Sequence, residues 1–173
     1  RRVRRELGRG AFACGYRSVS RAMREAGFQR RRRRTTPRTS DGKGVGKYPN
    51  LLKGARILAP GQAWVVDITY IGLPHGFAYL ACVLDVFARK IVGSAMSSRI
   101  DSQLTVRALR NALESSPPES QWIHHSDGGS QYLCDSYTKL ALESGARLSL
   151  SQKGRPQDNA FIESFYKTLK AEE

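Results

Sequence analysis

The stretch AWVVDITYIGLPHGFAYLACVLDVFARKIVGSAM, residues 63–96, decides the fold. It holds two β-branched and aromatic runs, 63–73 and 77–87, separated by the turn-prone Pro74-His75-Gly76, and a third run, 89–96, after a tight connection. Runs of this composition bounded by turn residues read as strands, and their short connections predict three neighbours in an antiparallel meander. Outward from it, residues 101–116 read as a helix with Asp101 as N-cap, Leu104, Ala108 and Leu109 toward the core and Pro117-Pro118 as the stop. QWIHHSD (121–127) is a fourth strand running into Gly128-Gly129, a second helix spans about 130–144, and RLSLSQ (147–152) is a fifth strand. A loop with Gly154 and Pro156 then leads to a last helix from about Asp158, with Phe161, Ile162, Phe165 and Leu169 as its buried stripe. The order β-β-β-α-β-α-β-α predicts an α/β fold: a mixed five-stranded sheet with flanking helices, its meander extended by parallel strands through helical crossovers.

Toward the N-terminus the chemistry changes. The chain has 29 Lys and Arg against 15 Asp and Glu, a formal charge of +14. Residues 1–50 carry a net +13 and residues 51–173 only +1, so the basicity is an arm on a nearly neutral domain. Within the arm, SVSRAMREAG (18–27) places Val19, Ala22, Met23 and Ala26 on one helical stripe that Gly27 could end. Arg30, Arg31, Arg32, Arg33 and Arg34 follow, then TTPRTSDGKGVGKYPN, which reads as a solvated linker. Such a balance suits a polyphosphate partner. No apolar run approaches the ~18 residues of a membrane span, and the opening arginines leave no signal-peptide core. Cys14, Cys82 and Cys134 are odd in number and widely spaced, which argues against a disulfide framework or zinc ribbon and for a reducing, intracellular setting. The chain lacks an initiator Met and reads as a fragment.

Three acids stand out. Asp67 lies inside an apolar strand, sharing a face with Val65 and Thr69 while Val66 and Ile68 take the other. An ionised carboxylate there needs compensation, by pairing, by capping a turn, or by a catalytic or metal-binding role. Asp127 ends a strand before two glycines, where a carboxylate can project from a sheet edge, although Asp-Gly is also a plain turn signal. Glu163 shares a helix face with Lys167 and Lys170, which is equally the pattern of a surface Glu–Lys pair. Together, two strand acids and one helix acid with no accompanying Cys suit hard divalent ions such as Mg²⁺ or Mn²⁺, and two such ions can clamp the attacking and leaving oxygens of a phosphodiester. The arm would supply affinity for the polyanion, and the lysines beside Glu163 could hold phosphates.

WVVDITYI around Asp67, LDVFARKIVGSAMSSR after it, HHSDGGSQY around Asp127 and GRPQDNAFIESFYKTLK around Glu163 resemble the integrase-core transposases of bacterial insertion sequences, the IS-three group in particular, over about residues 48–173. The 35 residues between Asp127 and Glu163 match the spacing of that Asp-Asp-Glu superfamily. The resemblance implies a ribonuclease-H-like fold, Asp67, Asp127 and Glu163 as ligands of two Mg²⁺ (or Mn²⁺) ions, and strand cleavage and strand transfer at element ends. It implies Asp158 and Asn159 as shapers of the loop and cap of the helix that aims Glu163, and Lys167 and Lys170 as DNA contacts. The implied partners are DNA, both element ends and target, and further copies of the chain assembled on it, with no membrane and no small-molecule substrate, in a bacterial cytoplasmic, nucleoid-associated setting.

Other residues read as structural. Asp85 reads as a turn-fixing acid paired with Arg89 or Lys90, His124 and His125 as packing residues or hydrogen-bond partners of the Asp127 loop, and Trp64 and Trp122 as core aromatics. Gly128 stands where the family carries Arg, which removes a potential phosphate contact. GYR (15–17) and VSRAMREAGF (19–28) resemble the two ends of the family's helix-turn-helix with almost nothing between. The expected organisation is therefore a basic arm with a partial helix-turn-helix and linker (1–50) and an integrase catalytic core (51–173) truncated at its C-terminus. The rival readings are an inactive remnant that only binds DNA and a structure-specific nuclease on the same fold.

Overall fold

The structure, a computed structural model, describes residues 15–27, 47–73, 75–152 and 159–171. The arginine run 30–34, most of the expected linker and Asp158 lie outside the described residues. The chain divides into two units, Arg1–Pro37 and Arg38–Glu173. In the first, α1 (Tyr16–Glu25) starts two residues before the expected helix. Of its expected stripe Val19 is buried and Met23 half-buried, while Ala22 and Ala26 are exposed.

The second unit holds β1 (Ala63–Leu73), β2 (Gly76–Asp85), β3 (Lys90–Ser97), α2 (Ser102–Ser115), β4 (Ile123–Ser126), α3 (Ser130–Leu133), α4 (Asp135–Glu143), β5 (Arg147–Leu150) and α5 (Ala160–Leu169). The strand order is β3-β2-β1-β4-β5. β1–β2 and β2–β3 are antiparallel, whereas β1–β4 and β4–β5 are parallel, so the expected meander with parallel extensions is the architecture found.

Alternation along β1 assigns its two faces to two cores. Trp64, Val66 and Ile68 pack with Leu104, Ala108 and Leu109 of α2 and with Tyr137 and Ala141 of α4. Ala63 and Val65 pack with Cys82 and Leu84 of β2 and with Ile162 and Tyr166 of α5. The Trp64 and Trp122 rings lie 4.6 Å apart at the centre of the first core, a geometry worth about 0.5–1.5 kcal/mol beyond the area buried. Both indole N–H groups are satisfied, Trp64 by the Asp85 carboxylate at 3.2 Å and Trp122 by the Ser144 carbonyl at 3.1 Å.

Local signals explain most boundaries. Asp101 caps α2 by accepting from the Leu104 N–H at 2.8 Å, as expected, which stabilises a helix by about 1 kcal/mol. α2 approaches β3 closely because Gly93 has no side chain: a Cβ there would sit 2.5 Å from the Ala108 carbonyl oxygen and from the Ala112 nitrogen and Cβ. In an edge strand alternate carbonyls face away from the sheet, and here the Ser115 hydroxyl, the Asn111 amide and the Arg107 guanidinium, spaced one helical turn apart, donate to the carbonyls of Val92, Ser94 and Met96.

Three expectations need correction. The helix expected over 130–144 is two helices, broken where Cys134 turns extended at ψ 151 and its carbonyl accepts from Tyr137 and Thr138 to start α4. The centre of the α5 stripe is Ile162, as expected, with Tyr166, which was not expected; Phe161, Phe165 and Leu169 pack against the same core but are only half-buried. Among the described residues Asp85 fixes its turn with main-chain and indole N–H groups and not with Arg89 or Lys90: its carboxylate accepts from Gly61 N (2.6 Å), Trp64 Nε1 (3.2 Å) and Ala88 N (2.8 Å), while the Arg89 guanidinium lies 4.2 Å from the Phe161 ring centroid.

Candidate active site

β1 and β4 run parallel side by side, with Ala63 level with Ile123 and Val65 level with His125. Continued two residues, that register brings Asp67 level with Asp127, which has just left the strand. β4 ends at Ser126 rather than at Asp127, so Asp127 belongs to the turn. There its carboxylate accepts from the Gly129 N–H at 2.9 Å, and Gly128 takes φ +74, the left-handed region that favours glycine. The chain then enters α3.

α5 packs against β1 at Asp67. The Tyr166 hydroxyl donates to the Asp67 main-chain carbonyl at 2.7 Å, and Ile162 and Tyr166 fill the core beneath Val65. Glu163, one residue beyond Ile162 and in the first turn of α5, is half-buried. Asn159 occupies the N-cap position but its side chain makes no cap hydrogen bond, and its Oδ1 is buried without a hydrogen-bond partner.

Electrostatics links the three acids. Burial raises the Asp67 carboxyl to about 7, and the Asp127 and then the Glu163 carboxylates push it the same way. The Ile68 N–H, which donates to the Asp67 carboxylate at 2.8 Å, and the Lys170 ammonium act in the opposite sense. Lys170 is held by the face of Tyr70, 4.0 Å from the ring centroid, a cation–π contact, while Lys167 is exposed. Among the described residues no group of three or more His, Cys, Asp and Glu is close enough to hold an ion. The chemistry of the donors nevertheless fits a hard divalent cation, since oxygen ligands that repel one another gain most from shared positive charge.

The histidines are structural. His124 Nε2 bonds the Tyr137 hydroxyl at 2.8 Å, and burial lowers its pKa to about 4. His125 bonds the hydroxyls of Ser149 at 2.8 Å and Ser151 at 3.0 Å, so both rings tie β4 to α4 and β5. Two residues near the acids carried no signal strong enough to single them out. Tyr166 sits three positions after Glu163, and Tyr132 is the last letter of the HHSDGGSQY motif. Beneath Asp67, paired with it across β1 and β2, Cys82 lies against the Tyr166 hydroxyl, and burial pushes its thiol up to about 11.

The integrase core domain family matches residues 58–156. An uncharacterised 31 kDa protein of insertion element IS600 from Shigella sonnei is 38% identical over 174 residues, covering 99% of this chain and 64% of its own length. The transposase of insertion sequence element IS904 from Lactococcus lactis is 45% identical over 125 residues, 72% of this chain and 49% of its own. Transposase InsF of insertion sequence IS3A from Escherichia coli is 33% identical over 173 residues, 99% of this chain and 60% of its own. The chain thus spans about half to two-thirds of the length of these relatives. Among solved structures, the magnesium complex of the HTLV-2 integrase catalytic core in trimeric form matches with TM-score 0.56 and 16% identity over 67% of this chain and 71% of its own. The simian T-cell lymphotropic virus intasome with PP2A regulatory subunit B56 gamma matches with TM-score 0.61 and 19% identity over 68% of this chain and 41% of its own. These likenesses show a ribonuclease-H-like fold.

Proposed function

The chain belongs to the integrase core domain family, and from that premise we propose that it is the catalytic part of an insertion-sequence transposase, which cleaves and joins DNA strands at element ends with Asp67, Asp127 and Glu163 as its catalytic acids. One observation carries this reading: the Asp67 carboxyl, inside an otherwise apolar strand, is raised to about 7 by burial and by the other two acids together. A carboxyl raised in this way by burial and by neighbouring acids costs stability, and such perturbed acids cluster at functional sites.

Asp67, Asp127 and Glu163 would hold Mg²⁺ or Mn²⁺, two ions in the full reaction. When bound, such ions stabilise the attacking and leaving oxygens of the phosphodiester. The protein's own groups do the rest. The Ile68 and Gly129 N–H groups orient the Asp67 and Asp127 carboxylates, and Tyr166 fixes α5, and with it Glu163, against β1. Lys167 and Lys170, one and two turns after Glu163, would bind backbone phosphates, with Lys170 steadied by Tyr70. Asn159 at the start of α5 and Asp158 before it would shape the loop that aims Glu163. Arg30, Arg31, Arg32, Arg33 and Arg34 would supply sequence-indifferent affinity for DNA, which weakens steeply with salt. Joining two element ends to one target calls for more than one copy of the chain on the DNA.

The test is incubation with Mg²⁺ or Mn²⁺ and a duplex bearing the element's own terminal sequence. Nicked and strand-transferred products are expected from the wild type and at least 10²-fold less from Asp127→Asn. An Asp127→Asn protein as active as the wild type would overturn the assignment.

A further inference from the structure

The backbone of Gly129 does not require a glycine. Its φ of −59 and ψ of 149 are extended values that any residue adopts, unlike Gly128, whose φ of +74 lies in the left-handed region. What Gly129 lacks is room for a side chain. A Cβ there would sit 2.5 Å from Gln131 Nε2 and 2.9 Å from Gln131 Cδ and Oε1. The Gln131 side chain therefore folds back over Gly129 and fills the place of the missing methyl group. Glutamine is mostly found at protein surfaces, yet Gln131 is only 9% exposed.

The residue it covers is the one that ties the Asp127 carboxylate to the following chain. Gly129 N donates to the Asp127 carboxylate at 2.9 Å, and the Gly129 carbonyl accepts from Tyr132 N at 2.9 Å. Gln131 is itself anchored from α2, where the buried Thr105 hydroxyl donates to its main-chain carbonyl at 3.2 Å. Contacts thus run from α2 to Gln131, from the Gln131 amide to Gly129, and from the Gly129 N–H to Asp127.

We propose that Gln131 is a positioning residue for Asp127: its side chain, packed on Gly129, holds the Gly129 N–H against the Asp127 carboxylate, and residue 129 is glycine so that Gln131 can lie there. This inference rests on the reading of Asp67, Asp127 and Glu163 as a cation site. Groups that orient ligating carboxylates typically change metal affinity by about 10–100-fold. Because the group facing Gly129 is the far end of a flexible side chain, a methyl at 129 displaces the amide and leaves the fold in place.

The experiment is thermal melting without divalent ions, followed by calorimetric titration with Mn²⁺, on the wild type, Gly129→Ala, Gln131→Ala, Gly129→Ala/Gln131→Ala and Asp67→Asn/Asp127→Asn. The three variants at 129 and 131 are expected to melt within a few degrees of the wild type. Each single variant is expected to bind Mn²⁺ about tenfold more weakly or worse, and the double variant no more weakly than the weaker single, because both changes remove the same contact. Wild-type affinity in either single variant, or a double variant weakened by the product of the two single effects, would overturn the inference while leaving the cation site standing. Loss of the melting transition in both single variants would do the same, since Gln131 would then be holding the fold. Wild-type binding no tighter than that of Asp67→Asn/Asp127→Asn would overturn the cation site and this inference with it.

Discussion

The Tyr166 hydroxyl donates to the main-chain carbonyl of Asp67 at 2.7 Å, so the helix that carries Glu163 is fastened to the strand that carries Asp67 at that residue itself. The bond is part-buried, beside the core that Tyr166 shares with Val65 and Cys82. Tyr166→Phe keeps the ring and its packing but leaves that carbonyl unpaired. The expected cost is about 1–2 kcal/mol, or several degrees in melting temperature at this chain length, and scanning calorimetry would show it. An unchanged melting temperature would mean that the bond does not hold α5 in place.

The raised Asp67 carboxyl makes a statement about pH. With a folded pKa near 7 against an ordinary 3.8, the folded chain keeps a proton that the unfolded chain has already released, so this group destabilises the fold progressively as pH rises from about 4 to 7. His124, held neutral by burial with a folded pKa near 4 against 6.5, contributes a slope of opposite sign over a similar window. The difference between Asp67→Asn and wild type therefore isolates Asp67. Without divalent ions, the variant is expected to gain stability relative to wild type across that window, by up to about 4 kcal/mol at pH 8 and less to the extent that solvent screens this half-buried group. A difference that does not change with pH, measured by urea titration, would contradict the raised pKa.

Gly93 makes a different kind of prediction. A methyl group there would press on the Ala108 carbonyl and on the Ala112 nitrogen and Cβ, two backbone atoms and one short side chain that cannot swing away. Gly93→Ala is expected to lose at least 2 kcal/mol by overpacking, whereas the exposed Gly72→Ala, with open space around its Cβ position, is expected to lose less than 1 kcal/mol. Equal melting temperatures for the two variants would mean that α2 moves off β3 at no cost.

The edge of the sheet supplies another. With Ser115, Asn111 and Arg107 engaging the carbonyls of Val92, Ser94 and Met96, an incoming strand finds β3 occupied. Ser115→Ala/Asn111→Ala is expected to keep the fold, since both side chains are exposed, and to associate at lower concentration than wild type. Sedimentation velocity would show this, and identical profiles for the two proteins would refute it.

Periodicity made the layers legible in the sequence. The alternation around Asp67 gave the two faces of β1, and Asp101, Leu104, Ala108 and Leu109 took their expected places in α2. The misses have two physical causes, a local restart of a helix and partners remote in sequence. Cys134 looks helical by composition, yet its carbonyl restarts the helix at Tyr137 and Thr138. The bonds of His125 go to Ser149 and Ser151 on and beyond β5, and Asp85 finds Gly61 and Trp64 instead of the nearby Arg89 or Lys90. The acids Asp67, Asp127 and Glu163 were singled out by residue type, motif and spacing, but no pattern in the chain announced that Tyr166 grips Asp67 or that the Tyr132 hydroxyl is buried alone.

The central claim is that these three acids form one cation site, and the most direct measurement is Mg²⁺-dependent melting at pH 7.5 of the wild type beside Asp67→Asn, Asp127→Asn and Glu163→Gln. A ligand that binds only the folded chain at 100 times its dissociation constant stabilises it by about 2.7 kcal/mol. The account predicts a melting temperature that climbs with Mg²⁺ in the wild type and stays flat in all three variants. Variants that climb with the wild type would contradict it.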